Sequence, residues 1–160
     1  MKIGVISDTH IPFYTKTIPN TILDHFKGTD MILHAGDLVN ISALHQLLKI
    51  TKRVEAVAGN MDLPDVQAVL PKKKIITAGK YKIGLIHGWG PPKSLLERVR
   101  AEFNKVDIIV FGHSHQPFNE EHNGILFFNP GSATDQVSTR NSSIGILELN
   151  DTKKGKIIRL

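Results

Sequence analysis

Side chains that commonly bind metal ions follow five separate apolar segments of this sequence, each of which is predicted to be a β-strand. The candidate ligands are Asp8, His10, Asp37, Asn60, His87, His113 and His115. A glycine, which lets the backbone turn tightly and approach a ligand, lies directly beside the polar residue at four of the five ends. Any one of these residues alone could be a turn, capping or buried structural residue. Five such endings in one chain favour a shared metal site.

The chemical types of these ligands restrict the metal. The sequence contains no cysteine, so thiolate sites, disulfides and cysteine nucleophiles are excluded. Imidazole and carboxylate ligands without thiolate suit Mn, Fe, Co, Ni or Zn better than calcium or a structural zinc. Seven ligands are too many for one small transition-metal ion. They fit two ions that share a bridging carboxylate, which in such sites lie roughly 3.5–4 Å apart.

The elements that must position these residues alternate in the first half of the chain. We predict strands at residues 3–7, 31–34 and 54–58, and helices at 18–26 and 42–48. Pro19 lies near the first turn of the first helix, and Ser42 is predicted to cap the second. This alternation predicts a parallel sheet, in which ligands gather at the carboxyl ends of the strands.

The second half is richer in predicted strands. A hairpin at residues 74–78 and 81–87 turns at 79–80, and a helix starts after Ser94. Further strands are predicted at 107–111, 125–129, 143–149 and 156–159, with turns at 130–131 and 151–155. We therefore predict an α/β fold of two facing mixed β-sheets flanked by helices, an αββα sandwich.

Length and composition fit one globular domain over residues 1–160, because 41% of the residues are hydrophobic and 22% are charged. Neither a signal-peptide pattern nor an apolar run of the roughly 18 residues needed to span a bilayer occurs, so we expect a cytoplasmic protein without a membrane partner. The net charge of +5 favours an anionic substrate. The basic run at residues 72–74 lacks interleaved aromatic residues, so nucleic-acid binding is not indicated beyond charge. A homodimer remains a mild expectation.

The order of the motifs D-x-H, G-D, G-N-x-D, H-G and G-H-x-H resembles that of the calcineurin-like metallophosphoesterases. The resemblance extends from residue 3 to about residue 132. Within that superfamily the short chain looks like the small bacterial and archaeal phosphodiesterase branch, which is related to the retromer sorting subunit of eukaryotes. It implies the metallophosphoesterase fold and a phosphodiesterase that depends on two divalent metal ions and acts on a small phosphodiester.

The resemblance also implies a role for each ligand. Asp8, His10 and His115 would hold the first ion. Asn60, His87 and His113 would hold the second, and Asp37 would bridge both. Asp37, Asn60 and His87 are the residues expected to take part in catalysis. A hydroxide between the ions would attack phosphorus in line with the leaving group. Mn²⁺ or Ni²⁺ is the expected metal, with Zn²⁺, Fe²⁺, Co²⁺ and Mg²⁺ as alternatives.

One position departs from the superfamily pattern, because Met61 follows Asn60 where a histidine often protonates the leaving group. Methionine cannot donate a proton, so we expect a preference for good leaving groups such as aryl esters. We assign His34 a structural or supporting role. Asp62 either orients a ligand or caps a turn, and the segment 129–132 is expected to shape the site.

The main alternative is a non-catalytic metal-binding scaffold of the same fold. Retention of all seven ligands favours the enzyme. The apolar segment 11–14 could instead be a protein-binding patch, or a lid beside the metals. Other hydrolase classes fit poorly, because the chain is too short for an amidohydrolase barrel and lacks the G-x-S-x-G and P-loop motifs.

Overall fold

The computed structural model of the protein describes residues 1–135 and 142–160. Ten strands belong to its two sheets: β1 (Lys2–Ile6), β2 (Met31–His34), β3 (Val54–Ala56), β4 (Lys73–Ala78), β5 (Tyr81–Ile86), β6 (Ile108–Val110), β7 (Phe118–His122), β8 (Ile125–Asn129), β9 (Ser143–Leu149) and β10 (Lys153–Arg159). Four α-helices connect them: α1 (Asn20–Phe26), α2 (Ser42–Leu47), α3 (Pro64–Val69) and α4 (Leu95–Ala101), the last preceded by a 3₁₀ turn at Pro92–Ser94.

Each sheet combines parallel and antiparallel pairs: the first is antiparallel at the β10-β9 edge and parallel at the β3 edge, and the second is antiparallel at both edges. The first has the strand order β10-β9-β1-β2-β3, with β1, β2 and β3 parallel. The second has the order β4-β5-β6-β8-β7, with β5, β6 and β8 parallel. The predicted fold of two mixed sheets is therefore confirmed.

Alternating side chains along each strand build three apolar layers, because successive residues of a strand point to opposite faces. Ile3 and Val5 of β1 face the second sheet in the central layer. Ile6 faces the other way and packs with Phe26 of α1 in the second layer. Helix α4 covers the far side of the second sheet through Val99 and its neighbours. The order of layers is thus helix, sheet, sheet, helix.

The local predictions are correct for most strands and differ at three connections. Ser42 does not cap α2: Ile41 is its N-cap, and the side chain of Asn40 accepts the hydrogen bond of the Ser42 N–H at 2.9 Å. Ser94 is the N-cap of α4, but its hydroxyl accepts a hydrogen bond from Arg98 and makes no capping bond. The turn predicted at 151–155 is shorter, because the Asn150 N–H closes it on the Thr152 carbonyl.

Two elements were not predicted. Helix α3 spans only six residues, and its one sequence signal is Pro64 at the first helical position. Strand β7 is an edge strand with a mostly exposed, charged sequence, so it lacks the apolar alternation that marks a half-buried strand. Within the described residues, no helix combines the length and apolar character needed to cross a bilayer.

Candidate metal centre

The seven candidate ligands lie in the loops that follow the carboxyl ends of β1, β2, β3, β5 and β6. The first three strands belong to one sheet and the last two to the other. The loops also bind one another, since the Asp8 N–H donates to the Gly36 carbonyl at 3.0 Å and the Gly112 N–H donates to the His87 carbonyl at 3.0 Å. Ligands far apart in sequence therefore meet at one end of the sandwich.

Five of the ligands form a tight, largely buried cluster. His115 Nε2 lies 3.2 Å from Asp8 Oδ1, and His87 Nε2 lies 3.2 Å from Asp37 Oδ2. His10 Nε2 lies between the carboxylates, 3.9 Å from Asp8 Oδ1 and 3.7 Å from Asp37 Oδ2. Two sets of three ligand atoms lie within 4.8 Å of one another: Asp8, His10 and His115, and Asp8, Asp37 and His87.

The other two candidates, Asn60 and His113, lie at the more open side of the cluster. Asn60 Oδ1 is 3.1 Å from His113 Nδ1. The ring of His113 packs edge-on against that of His87, with 5.4 Å between centroids. The Met61 N–H donates to Asp37 Oδ1 at 2.7 Å, which ties the Asn60 loop to the cluster. All seven predicted residues are therefore brought together.

Hydrogen bonds orient three of the histidines, so that one nitrogen of each faces the other candidate ligands. His87 Nδ1 donates to the Ala35 carbonyl and His115 Nδ1 donates to Asp135 Oδ2, each at 2.7 Å, so that Nε2 of both rings faces the cluster. His113 is the reverse, because its Nε2 donates to the Gly90 carbonyl at 2.9 Å and its Nδ1 contacts Asn60 Oδ1 at 3.1 Å. Such partners fix the tautomer and orientation of metal-binding imidazoles.

Two buried atoms of the cluster lack a hydrogen-bond partner in the part of the chain that the structure describes, Asp8 Oδ1 and His87 Nε2. The 3.2 Å approach of His87 Nε2 to Asp37 is too poorly aligned to count as a hydrogen bond. A buried polar atom without a partner costs free energy, so such atoms call for an explanation. A carboxylate oxygen and an imidazole nitrogen, 3.9 Å apart, are both donors to divalent cations. The residues therefore fit a metal ion.

The electrostatics of the cluster favour a cation. Burial alone disfavours a charged His87 ring, but the carboxylates of Asp8 and Asp37 outweigh it and raise the pKa of His87 to about 9. Burial also opposes charge on His115, where Asp8 and Asp135 raise the pKa to about 9. Burial tends to raise the pKa of Asp8, but the neighbouring His87 and His115 bring it below its ordinary value. The carboxylates thus attract positive charge into a buried place.

The backbone at the centre adopts an uncommon conformation. Five of the seven ligands have positive φ angles: Asp8 (53°), His10 (42°), Asp37 (55°), His113 (70°) and His115 (56°). Left-handed backbone is uncommon for residues other than glycine and clusters at functional sites. Two glycines leave space for the carboxylates. A Cβ on Gly112 would lie 2.6 Å from Asp8 Oδ2, and one on Gly59 would overlap the Asp37 carboxylate.

The comparison with known proteins assigns the family. The calcineurin-like phosphoesterase superfamily domain matches residues 1–152. The chain belongs to the calcineurin-like phosphoesterase superfamily. A probable metallophosphoesterase from Methanothermobacter thermautotrophicus is 36% identical in an alignment of 162 positions, gaps included, that covers 99% of this chain and 92% of that protein.

Solved structures agree with this assignment. The Zn²⁺ complex of Vps29 from Entamoeba histolytica has a TM-score of 0.76 and 29% identity, and the match covers 99% of each chain. An archaeal phosphodiesterase has a TM-score of 0.78 with 24% identity, over 100% of each chain, a likeness that shows the fold alone. The resemblance predicted from the motifs is confirmed. Membership of this superfamily, with the candidate ligand sets, supports a metal-dependent phosphoesterase.

Asp135 is the residue of this calcineurin-like site that the sequence analysis missed. It is fully buried and contacts His115, although it follows β8 by six residues and belongs to no motif used above. The same segment also holds the β1 loop, because Ser132 Oγ donates to the Asp8 carbonyl at 2.8 Å and Thr134 Oγ1 donates to the Thr9 carbonyl at 2.7 Å. The segment 129–132 and the residues after it therefore shape the site, as expected.

His34 and Asp62 support the loops around the ligands. His34 is fully buried, accepts a hydrogen bond from the Gly36 N–H at Nδ1, and has a pKa of about 3 because burial disfavours its charged form. Asp62 accepts hydrogen bonds from the Val39 N–H at 2.6 Å and the Gly59 N–H at 2.7 Å. Asp62 therefore joins the two loops that carry Asp37 and Asn60. It both caps the turn that begins at Gly59 and helps to orient the ligands, the two roles considered for it.

Proposed function

We propose that the chain is a phosphodiesterase that uses two divalent transition-metal ions. Asp8, His10 and His115 would hold one ion, and the other would lie between the three ligands His87, Asn60 and His113, with Asp37 shared. The proposal rests chiefly on one observation: Asp8 Oδ1 and His87 Nε2 are buried in the cluster without a hydrogen-bond partner among the described residues. Mn²⁺ or Ni²⁺ is proposed, and Zn²⁺ is a third candidate because the similar Vps29 binds it.

When bound, two such metal ions supply an activated water and neutralise the charge that develops on the phosphoryl oxygens. The residues of the chain prepare that chemistry by holding the ligand atoms in place. The Met61 N–H fixes one oxygen of Asp37, so that the other points towards His87 and His10. Asp135 orients His115 through its Nδ1, and the Gly90 carbonyl orients His113 through its Nε2. Asp37, Asn60 and His87 are the residues proposed to take part in catalysis.

The preference for diesters rests on the resemblance to the small phosphodiesterase branch. The proposed preference for good leaving groups rests on Met61, whose exposed side chain has no proton to donate. We expect the rate to fall steeply as the pKa of the leaving alcohol rises, so that aryl diesters react much faster than alkyl diesters. A rate that does not depend on the leaving-group pKa would show that another group protonates the leaving oxygen.

The test is hydrolysis of bis-p-nitrophenyl phosphate and of p-nitrophenyl phosphate by metal-stripped protein to which Mn²⁺, Ni²⁺, Zn²⁺ or Mg²⁺ is returned. We expect turnover only with metal, faster on the diester, and its loss in Asp37→Asn. Asp24→Asn is the matched control, because Asp24 is an exposed carboxylate paired with Lys27. Faster hydrolysis of the monoester would contradict the diesterase and leave the phosphoesterase. Equal loss in both variants would remove the role of Asp37.

A second candidate, a metal-binding scaffold without activity, is favoured by the similarity to Vps29. The patch considered for it is smaller than expected, because Ile11 is buried and only Pro12, Phe13 and Tyr14 of the segment are exposed. Binding of two ions per chain, measured by calorimetry, without hydrolysis of any aryl ester would favour the scaffold over the enzyme.

A further inference from the structure

A cleft of about 550 Å³ opens directly beside the proposed metal centre. Asn60 and His87, two of the proposed ligands, form part of its wall, and Trp89, Gln67 and Lys72 are among the other residues that line it. Ligand pockets commonly have volumes of about 300–1,000 Å³. A group joined to a phosphate at the metal centre can therefore extend into this cleft.

Trp89 offers an aromatic face on a fixed backbone. Its side chain is 44% exposed, although its loop is held firmly. Arg98 Nε donates to the Trp89 carbonyl at 2.7 Å, and the same guanidinium also donates to the Pro91 carbonyl and to Ser94 Oγ. The next residue, Gly90, accepts the hydrogen bond of His113. The loop that orients a proposed metal ligand thus also presents the indole ring.

Lys72 differs from the two lysines that follow it, because their charges are paired with carboxylates. Lys73 pairs with Glu102 at 2.6 Å, and Lys74 pairs with Glu55 at 2.5 Å. Lys72 lines the cleft and forms no ion pair with any residue in the ranges 1–135 and 142–160. Its charge is therefore available to an anionic ligand.

We propose that this cleft binds a planar aromatic substituent of nucleoside size on the phosphodiester, stacked against Trp89. The substrate class is then a nucleoside phosphodiester rather than a simple alkyl diester, an inference that rests on the proposed function. Stacking on an aromatic side chain binds any base, because every base has a π-face. The metal centre holds the phosphate, Trp89 holds the ring, and Lys72 attracts the anion.

The binding test uses the fact that Trp89 is the only tryptophan in the sequence. We titrate the Zn²⁺-loaded protein with thymidine 5′-monophosphate, excite at 295 nm, and use methyl phosphate as the control that lacks the ring. Saturable quenching by the nucleotide, at least tenfold tighter than any effect of methyl phosphate, is expected. Equal responses to the two phosphates, or no saturable quenching, would overturn the proposal.

The kinetic test compares two substrates with the same leaving group, thymidine 5′-p-nitrophenyl phosphate and methyl p-nitrophenyl phosphate. We expect Trp89→Ala to lower the ratio of their kcat/KM values about tenfold, a typical effect of removing a stacked ring. Trp89→Phe should restore most of the ratio. Leu48→Ala is the control, because Leu48 is an exposed apolar residue that does not line the cleft. An unchanged ratio in Trp89→Ala, or an equal fall in Leu48→Ala, would overturn the proposal.

The two proposals fail in different ways. Metal-dependent hydrolysis of both substrates with a ratio that Trp89→Ala does not change would retain the phosphodiesterase and remove the aromatic subsite. Saturable quenching by the nucleotide without hydrolysis under any metal would retain the subsite and remove the catalytic function.

Discussion

Replacing Asp135 by Asn tests whether this buried carboxylate acts on the metal through His115. The substitution keeps an oxygen that can accept the 2.7 Å hydrogen bond from His115 Nδ1, removes the negative charge and replaces the second oxygen by an amide NH2. Loss of such a partner typically weakens metal binding about 10- to 100-fold, roughly 1.4–2.7 kcal/mol. A second effect opposes this loss and depends on pH.

The second effect comes from the proton that the metal must displace. The pKa of His115 is about 9 in the metal-free protein, so at pH 7 the ring is protonated. Removing that proton costs about 1.4 kcal/mol for each unit between the pH and the pKa, or about 2.7 kcal/mol at pH 7. Asp135→Asn lowers the pKa of His115, and therefore lowers this cost. The affinity loss should be largest near pH 9 and smaller at pH 7.

The assay is competition for Zn²⁺ with a chromophoric chelator between pH 6.5 and 9, in both proteins. Both proteins must also lose the proton of His87 when the metal binds, and this shared cost cancels in the ratio of their Kd values. Glu120→Gln is the matched control, because Glu120 and His122 form an exposed carboxylate–histidine pair at 3.2 Å. A ratio independent of pH, or one that is largest at pH 7, would refute the reasoning and show that Asp135 acts on the fold rather than through His115.

Two further outcomes are expected. Gly59→Ala should weaken metal binding at least tenfold, because its Cβ would lie 2.5 Å from the Asp37 nitrogen. Gly79→Ala is the control, because a Cβ there meets no atom within 4 Å and the substitution should lower only the stability. Calorimetry measures the metal affinity of each variant, and thermal unfolding measures its stability. The metal-free protein should be most stable near pH 6.5. Stability from the raised pKa values of His87 and His115 is present below about 6.5 and lost as pH rises to about 9, whereas stability from the lowered pKa of His34 is lost as pH falls below about 6.5 towards 3. A melting temperature that keeps rising up to pH 9 in chelator would contradict this.

The sequence predicts the elements whose burial leaves a pattern. Strands β2, β8 and β9 were predicted with the observed bounds, because each is a mainly apolar run and nearly all of its residues are buried. The ligands were recognised for a similar reason, since strand end, residue type and order all coincide in the five motifs. Strand β7 has neither signal, because its side chains face solvent at the sheet edge.

The residues that support the ligands leave weaker traces than the ligands themselves. Asp135 reaches His115 only through the fold, over twenty residues along the chain. Arg98 belongs to α4 and to none of the five motifs, yet it holds the Trp89 loop by three hydrogen bonds. Neither the His115–Asp135 contact nor the Arg98–Trp89 contact follows from spacing along one strand or helix, because the first joins the segments after β6 and β8 and the second joins α4 to the loop after β5.

The strained backbone and the crossed hydrogen bonds of the centre depend on each other. A left-handed conformation costs about 1–2 kcal/mol for a residue other than glycine, and Asp8, His10 and Asp37 all adopt it. The Asp8 N–H donates to the Gly36 carbonyl and the His10 N–H donates to the Asp37 carbonyl, each at 3.0 Å, so each loop holds its neighbour in the strained form. Ser132 holds the Asp8 carbonyl from a third segment. Because these bonds involve no metal ligand atom, the loops are held before an ion arrives, and binding energy need not be spent on ordering them.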